Sequence, residues 1–186
     1  MTHFEAVATL ARPTTRNGVP YAPRLVLVAA TVGAGLSAGL FYAFQVSVIR
    51  GLAAVDDVTY VTTFQAINDK ITNPWFFASF LGTPPLIAAA LRLNRRSAGA
   101  VKALIGTGLV LNLALFGITV LGNVPLNDDL ARYDTVNAET AAVARSAFEE
   151  GWNRLHLVRT LAAVGSFVAL TGATILDPTA RRRPNT

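Results

Sequence analysis

The chain contains no cysteine, one methionine and two histidines among 186 residues. Without thiols there is no disulfide framework, thiolate metal site, iron–sulfur cluster or cysteine nucleophile. His3 and His156 are the only imidazoles, and one ring cannot build a multi-ligand metal site without carboxylate help. Charge is also scarce. Only 15% of residues are Asp, Glu, Lys or Arg while 52% are hydrophobic, too apolar for an ordinary soluble domain of this length. There is no Walker A loop, no G-x-G-x-x-G after a strand, no H-E-x-x-H and no N-x-[ST] acceptor. Nucleotide-driven transport, flavin binding through a Rossmann fold and zinc proteolysis lose their support. No internal repeat, heptad run or low-complexity block interrupts what reads as one domain.

What the chain does have is long apolar runs. From Leu25 to Ile49 there is no charge, and Arg24 and Arg50 bracket the run; roughly 20 apolar residues suffice to cross a bilayer. It is longer and starts later than the apolar core of a signal peptide. Three more runs follow, at 74–91, 103–121 and 155–176. The second holds Gly82, Pro84 and Pro85, which predict a kink that neighbouring helices or water can satisfy in a membrane. The expected architecture is all-α: a four-helix transmembrane bundle over 25–176, with an N-terminal tail (1–24) and a basic C-terminal tail (177–186). The connections at 50–73 and 122–154 are long enough for short amphipathic helices, and Pro125 reads as the start of a short turn.

The charges give the bundle a direction. Ten of the 16 basic residues fall before span one (Arg12, Arg16, Arg24), between spans two and three (Arg92, Arg95, Arg96, Lys102) and after span four (Arg181, Arg182, Arg183). Nine of the 11 acids, from Asp56 to Glu150, occupy the other two connections. The positive-inside rule then puts both termini in the cytoplasm, as an even number of spans requires. The expected location is the cell membrane, with the lipid bilayer as partner and no nucleic acid. The arginine tail could also touch anionic lipid.

With that orientation, Tyr42, Gln45, Asn68, Asn73, Asn123, Asn127, Trp152, His156 and Arg159 gather at the outer level. Trp152, His156 and Arg159 are spaced i, i+4, i+7 and share one helix face. An arginine five residues inside a span either snorkels to the interface or marks a functional site. Taken alone, Trp152 fits an interfacial aromatic belt and His156 a structural hydrogen bond. Asn112 and Ser166 fit interhelical hydrogen bonding. Gly35 and Gly39, flanked by Gly33, form a G-x-x-x-G that suits packing within the monomer as well as a homo-oligomer.

Four segments in order, GLSAGLFYAF (35–44), FQAINDKITNPWF (64–76), NVPLNDDLA (123–131) and WNRLHLVRT (152–160), resemble the anthrone oxygenase-like family of small four-helix membrane proteins. That resemblance implies oxidation of an aromatic, polyketide-like substrate with molecular oxygen and no established cofactor. It implies His156 as base, Arg159 with Asn127 as oxyanion partners, and Trp152 and Tyr42 as aromatic walls. Asn68, Asn73 and Asn123 would complete the contacts to an apolar aromatic small molecule. No metal is expected, although Asp56, Asp57, Asp128 and Asp129 are the carboxylates that could join His156. The alternative is a non-enzymatic membrane protein, an accessory or structural subunit. A small exporter is the weaker version, since no span contains an acidic residue for proton coupling. An apolar pocket beside His156 and Arg159 would favour ligand binding; a packed polar plug would favour the structural role.

Overall fold

The computed structural model describes residues 22–133 and 137–177. Most of the N-terminal tail, the arginines at 181–183 and His3 lie outside the described residues. Five helices carry the fold: α1 (Ala22–Ala53), α2 (Asp57–Ile71), α3 (Pro74–Leu93), α4 (Gly99–Leu130) and α5 (Ala138–Leu176). All but α2 are long and apolar enough to cross a membrane, and the chain is a multi-pass membrane protein. Their outward faces carry Leu25, Leu36, Leu113, Leu161, Val168 and Ile175, all at least half exposed. An apolar exterior of this kind suits lipid rather than water.

A stripe of buried residues explains how α5 organises the bundle. Ala141, Ala144, Phe148, Trp152, His156, Arg159, Ala163, Ser166, Leu170 and Ala173 recur every three or four positions and so form one continuous face. α1 and α4 pack along that face, and α3 packs mainly on α1. At the end near the described termini, Leu27, Ile87, Val101, Ile105 and Leu170 make an apolar core. The Thr31 and Thr174 hydroxyls meet there at 3.1 Å, so α1 begins where α5 ends. Close approach relies on small residues: a Cβ on Gly35 would stand 3.0 Å from the Phe167 ring, while Gly39 has open space beside it. Within the described residues, the glycine motif is thus used by its first member, inside the monomer. Ser166 donates to the Gly108 carbonyl at 2.8 Å, and Asn112 is buried.

Three helices run further than the apolar pattern indicates. α5 starts at Ala138 rather than near 155, adding more than four turns. At 1.5 Å per residue its 39 residues span about 58 Å, well beyond a hydrocarbon core of about 30 Å. Pro125 does not start a turn. α4 continues through it because a π-helical segment, Thr119–Asn123, precedes it, and the Val124 N–H reaches the Thr119 carbonyl one residue further back than in an α-helix. The missing proline N–H falls just where the hydrogen-bond register changes, so the helix tolerates it. α1 contains a second π segment, Phe44–Val48. α3 likewise continues through Pro84 and Pro85.

α2 spans the far end. Asp56 caps it by accepting from the Thr59 N–H at 3.0 Å and from the Thr59 hydroxyl. Arg145 of α5 clamps its start, bonding to Asp57 at 3.0 Å, to Glu149 at 2.7 Å and to the Val55 carbonyl, while its guanidinium lies 4.4 Å from the Tyr60 ring centre. Asn73 joins α2 to α3. Its amide oxygen accepts from the Trp75 and Phe76 N–H groups, and its nitrogen donates to the Lys70 carbonyl at 2.9 Å.

Two outcomes follow. Asn73→Ala removes an N-cap worth about 1 kcal/mol, and thermal unfolding in detergent should shift down accordingly. The Thr59 bonds hold the Asp56 carboxyl below its ordinary value of 3.8. A depressed carboxylate stabilises the fold above that ordinary value, and its contribution is lost as pH falls through the folded-state value. The Thr59 amide proton should therefore titrate with a midpoint below 3.8, and Asp56→Ala should abolish the titration.

Candidate functional site

The polar residues of α5 sit where its buried stripe passes between the two π segments. His156 is 2% exposed and Arg159 5%, so neither snorkels to a surface. The His156 Nε2 lies 3.2 Å from the Phe41 carbonyl of α1, and an Arg159 Nη lies 3.0 Å from its Nδ1. Since a carbonyl only accepts and a guanidinium only donates, these contacts assign the neutral tautomer with hydrogen on Nε2. The other Nη approaches the Thr119 hydroxyl at 3.4 Å, and that hydroxyl donates to the Leu115 carbonyl. The Arg159 Nε has no hydrogen-bond partner among the described residues.

No carboxylate pairs with Arg159 among the described residues. Aromatic faces take that place. The guanidinium carbon lies 5.1 Å from the Phe41 ring centre and 5.2 Å from that of Trp152, within cation–π range. Trp152 stacks on His156 at 4.8 Å with 9° between the planes, and Phe64 meets Trp152 edge-on at 4.7 Å. The Trp152 N–H donates to the Asn127 amide oxygen at 2.8 Å, which fixes both the indole and the amide.

Beside this column lies a cavity of about 550 Å³, bounded by all five helices. Trp152, His156, Arg159, Asn127 and Asn68 line it, together with Phe41, Phe44, Phe76, Phe80, Phe116 and Thr119. The Asn68 amide nitrogen is buried and has no partner among the described residues. A second, smaller hollow of about 340 Å³ lies between Leu126, Tyr133 and Phe148, away from the polar column.

Three of the expected contacts fall elsewhere. Tyr42 is 57% exposed and does not line the cavity; Phe41 and Phe44 supply that wall. A one-residue shift on a helix turns a side chain by about 100°, so the neighbouring aromatic takes the inward place. Asn73 is engaged as the α3 cap, and Asn123 is fully buried with its amide nitrogen on the Trp152 carbonyl at 3.3 Å. Neither lines the cavity. His156 lines it, yet both ring nitrogens are engaged, so no lone pair is open to take a substrate proton. The candidate carboxylates are dispersed: Asp56 caps α2, Asp57 pairs with Arg145, Asp129 pairs with Arg132, and Asp128 stands at the cavity rim. No group of three or more His, Cys, Asp or Glu residues that could hold a metal occurs among the described residues.

The sequence profile of the anthrone oxygenase family matches residues 73–169. The chain belongs to the anthrone oxygenase family. The match spans α3, α4 and most of α5, and therefore includes Asn127, Trp152, His156 and Arg159, whereas Phe41 and Asn68 fall outside it. Among curated proteins, and among solved structures, nothing matches the chain. Sequence reasoning did not single out Phe41 and Thr119, whose backbone and hydroxyl oxygens engage the family region's His156 and Arg159. The aromatic spacing in N-P-W-F-F-A-S-F (73–80) was the available signal for Phe76 and Phe80.

A buried cation without an anion is expensive, and replacing it with an apolar side chain is often stabilising. Arg159→Leu should thus unfold at a higher temperature in detergent than the native chain.

Proposed function

We propose that the protein is an oxygenase of acidic aromatic carbonyl compounds, with the Arg159 cavity as its substrate site. The observation that carries this reading is a guanidinium lacking a counter-ion among the described residues, at the wall of an aromatic-lined cavity. Such a site favours a flat molecule that develops negative charge on one oxygen. The cavity is within the size range of small-molecule sites, and the unpartnered Asn68 amide offers a second contact. A packed polar plug, the arrangement suited to a purely structural subunit, would leave neither the space nor the unmatched donors.

For an anthrone, loss of a proton from the carbon opposite the carbonyl gives an electron-rich enolate. Arg159, with Asn127, stabilises its oxygen. The enolate passes one electron to oxygen, and the resulting radical and superoxide combine into a peroxide anion, which takes a proton from water at the polar rim to become the hydroperoxide. Elimination of water leaves the quinone carbonyl, so one oxygen molecule yields one new C=O and one water with no external reductant. The protein's work is orientation, oxyanion stabilisation and exclusion of bulk water. His156 acts as a positioning residue: Nε2 is anchored on Phe41, and Nδ1 aims Arg159. The abstracted proton leaves through the polar rim at Asn68 and Asp128.

We place this chemistry in the cell membrane, with both termini cytoplasmic. Arg24, Arg92, Arg95, Arg96 and Lys102 cluster towards one end of the bundle and the acids of α2, α4 and α5 towards the other, as the positive-inside rule requires.

Purified protein should consume oxygen with emodin anthrone, one molecule per quinone formed. Arg159→Gln should lower kcat/KM at least 100-fold. His156→Ala should lower it about tenfold, in line with a lost orienting contact, with the pH profile keeping its shape. Loss of the profile's acidic limb in that variant would instead make His156 the base, and full activity in Arg159→Gln would remove the oxyanion role.

A further inference from the structure

The cavity has two kinds of edge. Towards the α2 end its rim is polar, with Asn68, Asp69 and Asp128. Asp69 is paired with Lys70 at 2.6 Å, whereas Asp128 is exposed and has no ion-pair partner among the described residues. Between α3 and α4 the edge is apolar. Phe77, Leu81, Val120 and Val124 line the cavity and are also 41%, 48%, 43% and 39% exposed on the outside of the bundle. Residues that face both an internal cavity and the exterior bound an opening. Here α3 leans on α1 more than on α4, which it meets beside the opening through the stacked rings of Phe80 and Phe116. All four residues belong to helices long and apolar enough to cross the bilayer.

We infer that the site is loaded sideways from the bilayer, through the gap between α3 and α4, by a lipid-dissolved aromatic weak acid in its neutral form. The inference rests on reading the Arg159 cavity as the substrate site and adds the route and the charge state of the incoming molecule. An anion arriving from water would meet the Asp128 carboxylate first and is repelled. A neutral phenol or enol partitions into lipid, passes Leu81 and Val120, and meets the guanidinium at the inner end. It ionises there, and its proton leaves by the acidic rim. Leu81 and Val120 become selectivity determinants through their bulk, without touching the reacting atoms.

The test uses the full chain in phosphatidylcholine vesicles preloaded with alizarin, a hydroxyanthraquinone that changes colour when its hydroxyl ionises and does not need to turn over. Mixing vesicles with and without protein should show the ionised band appearing only with the native chain. Val120→Trp and Leu81→Trp should each slow its appearance at least tenfold, while Leu113→Trp, on a lipid-facing position away from the cavity, leaves the rate alone. Unchanged rates in both gap variants, no ionised band with the native chain, or a tenfold acceleration by Asp128→Asn would each overturn lateral loading. Oxygen consumption with emodin anthrone separates the two readings. Gap-dependent alizarin uptake without oxygen consumption keeps the route and removes the oxygenase, whereas oxygen consumption insensitive to both gap variants does the reverse.

Discussion

A guanidinium buried in an apolar bundle with no carboxylate paired to it among the described residues constrains everything around it. Left alone in such a medium the charge would cost several kcal/mol, yet Arg159 is held by weak partners from three directions: the Phe41 and Trp152 ring faces, the His156 lone pair and the Thr119 oxygen. Each partner is itself tied down. Phe41 lends its carbonyl to His156, Trp152 is pinned by Asn127, and Thr119 is bonded to Leu115. The cation is therefore tolerated rather than neutralised. It also lines the cavity.

The two π segments serve that arrangement. Both lie at the level of His156 and Arg159, one just after Phe41 and one beginning at Thr119. Widening a helix by one residue per turn changes which side chains and carbonyls face inward, and such turns recur at functional sites. The same change of register in α4 absorbs Pro125 and keeps Asn127 on the helix, one turn beyond Asn123.

Much of the bundle was legible because hydropathy reports directly on burial in lipid. The four apolar runs and the shared face of Trp152, His156 and Arg159 need only period and length to be seen. The extension of α5 to Ala138 was not legible, since its extra turns carry Glu139 and Glu150 on the outside and Arg145 and Glu149 against the start of α2, and so read as a polar connection. Its buried stripe of Ala141, Ala144 and Phe148 held the signal, diluted by those charges. The site was half legible. Residue type points to Arg159 and His156, but whether Tyr42 or its neighbours face inward depends on helix rotation, which a π segment shifts. The engagement of both His156 nitrogens depends on a backbone carbonyl, and no sequence pattern encodes that.

The order in which the helices are made bears on how Arg159 reaches its place. α5 leaves the ribosome after the other four helices, and it brings a charge whose insertion at the centre of an isolated span would be penalised by about 2.5–3.5 kcal/mol on translocon scales. By then α1 and α4 have been synthesised, carrying the Phe41 ring and carbonyl and the Thr119 hydroxyl that receive the arginine. Integration of α5 is thus templated by the first and third spans, and a lesion at Phe41 would be felt as failed membrane integration around an arginine more than 100 residues downstream.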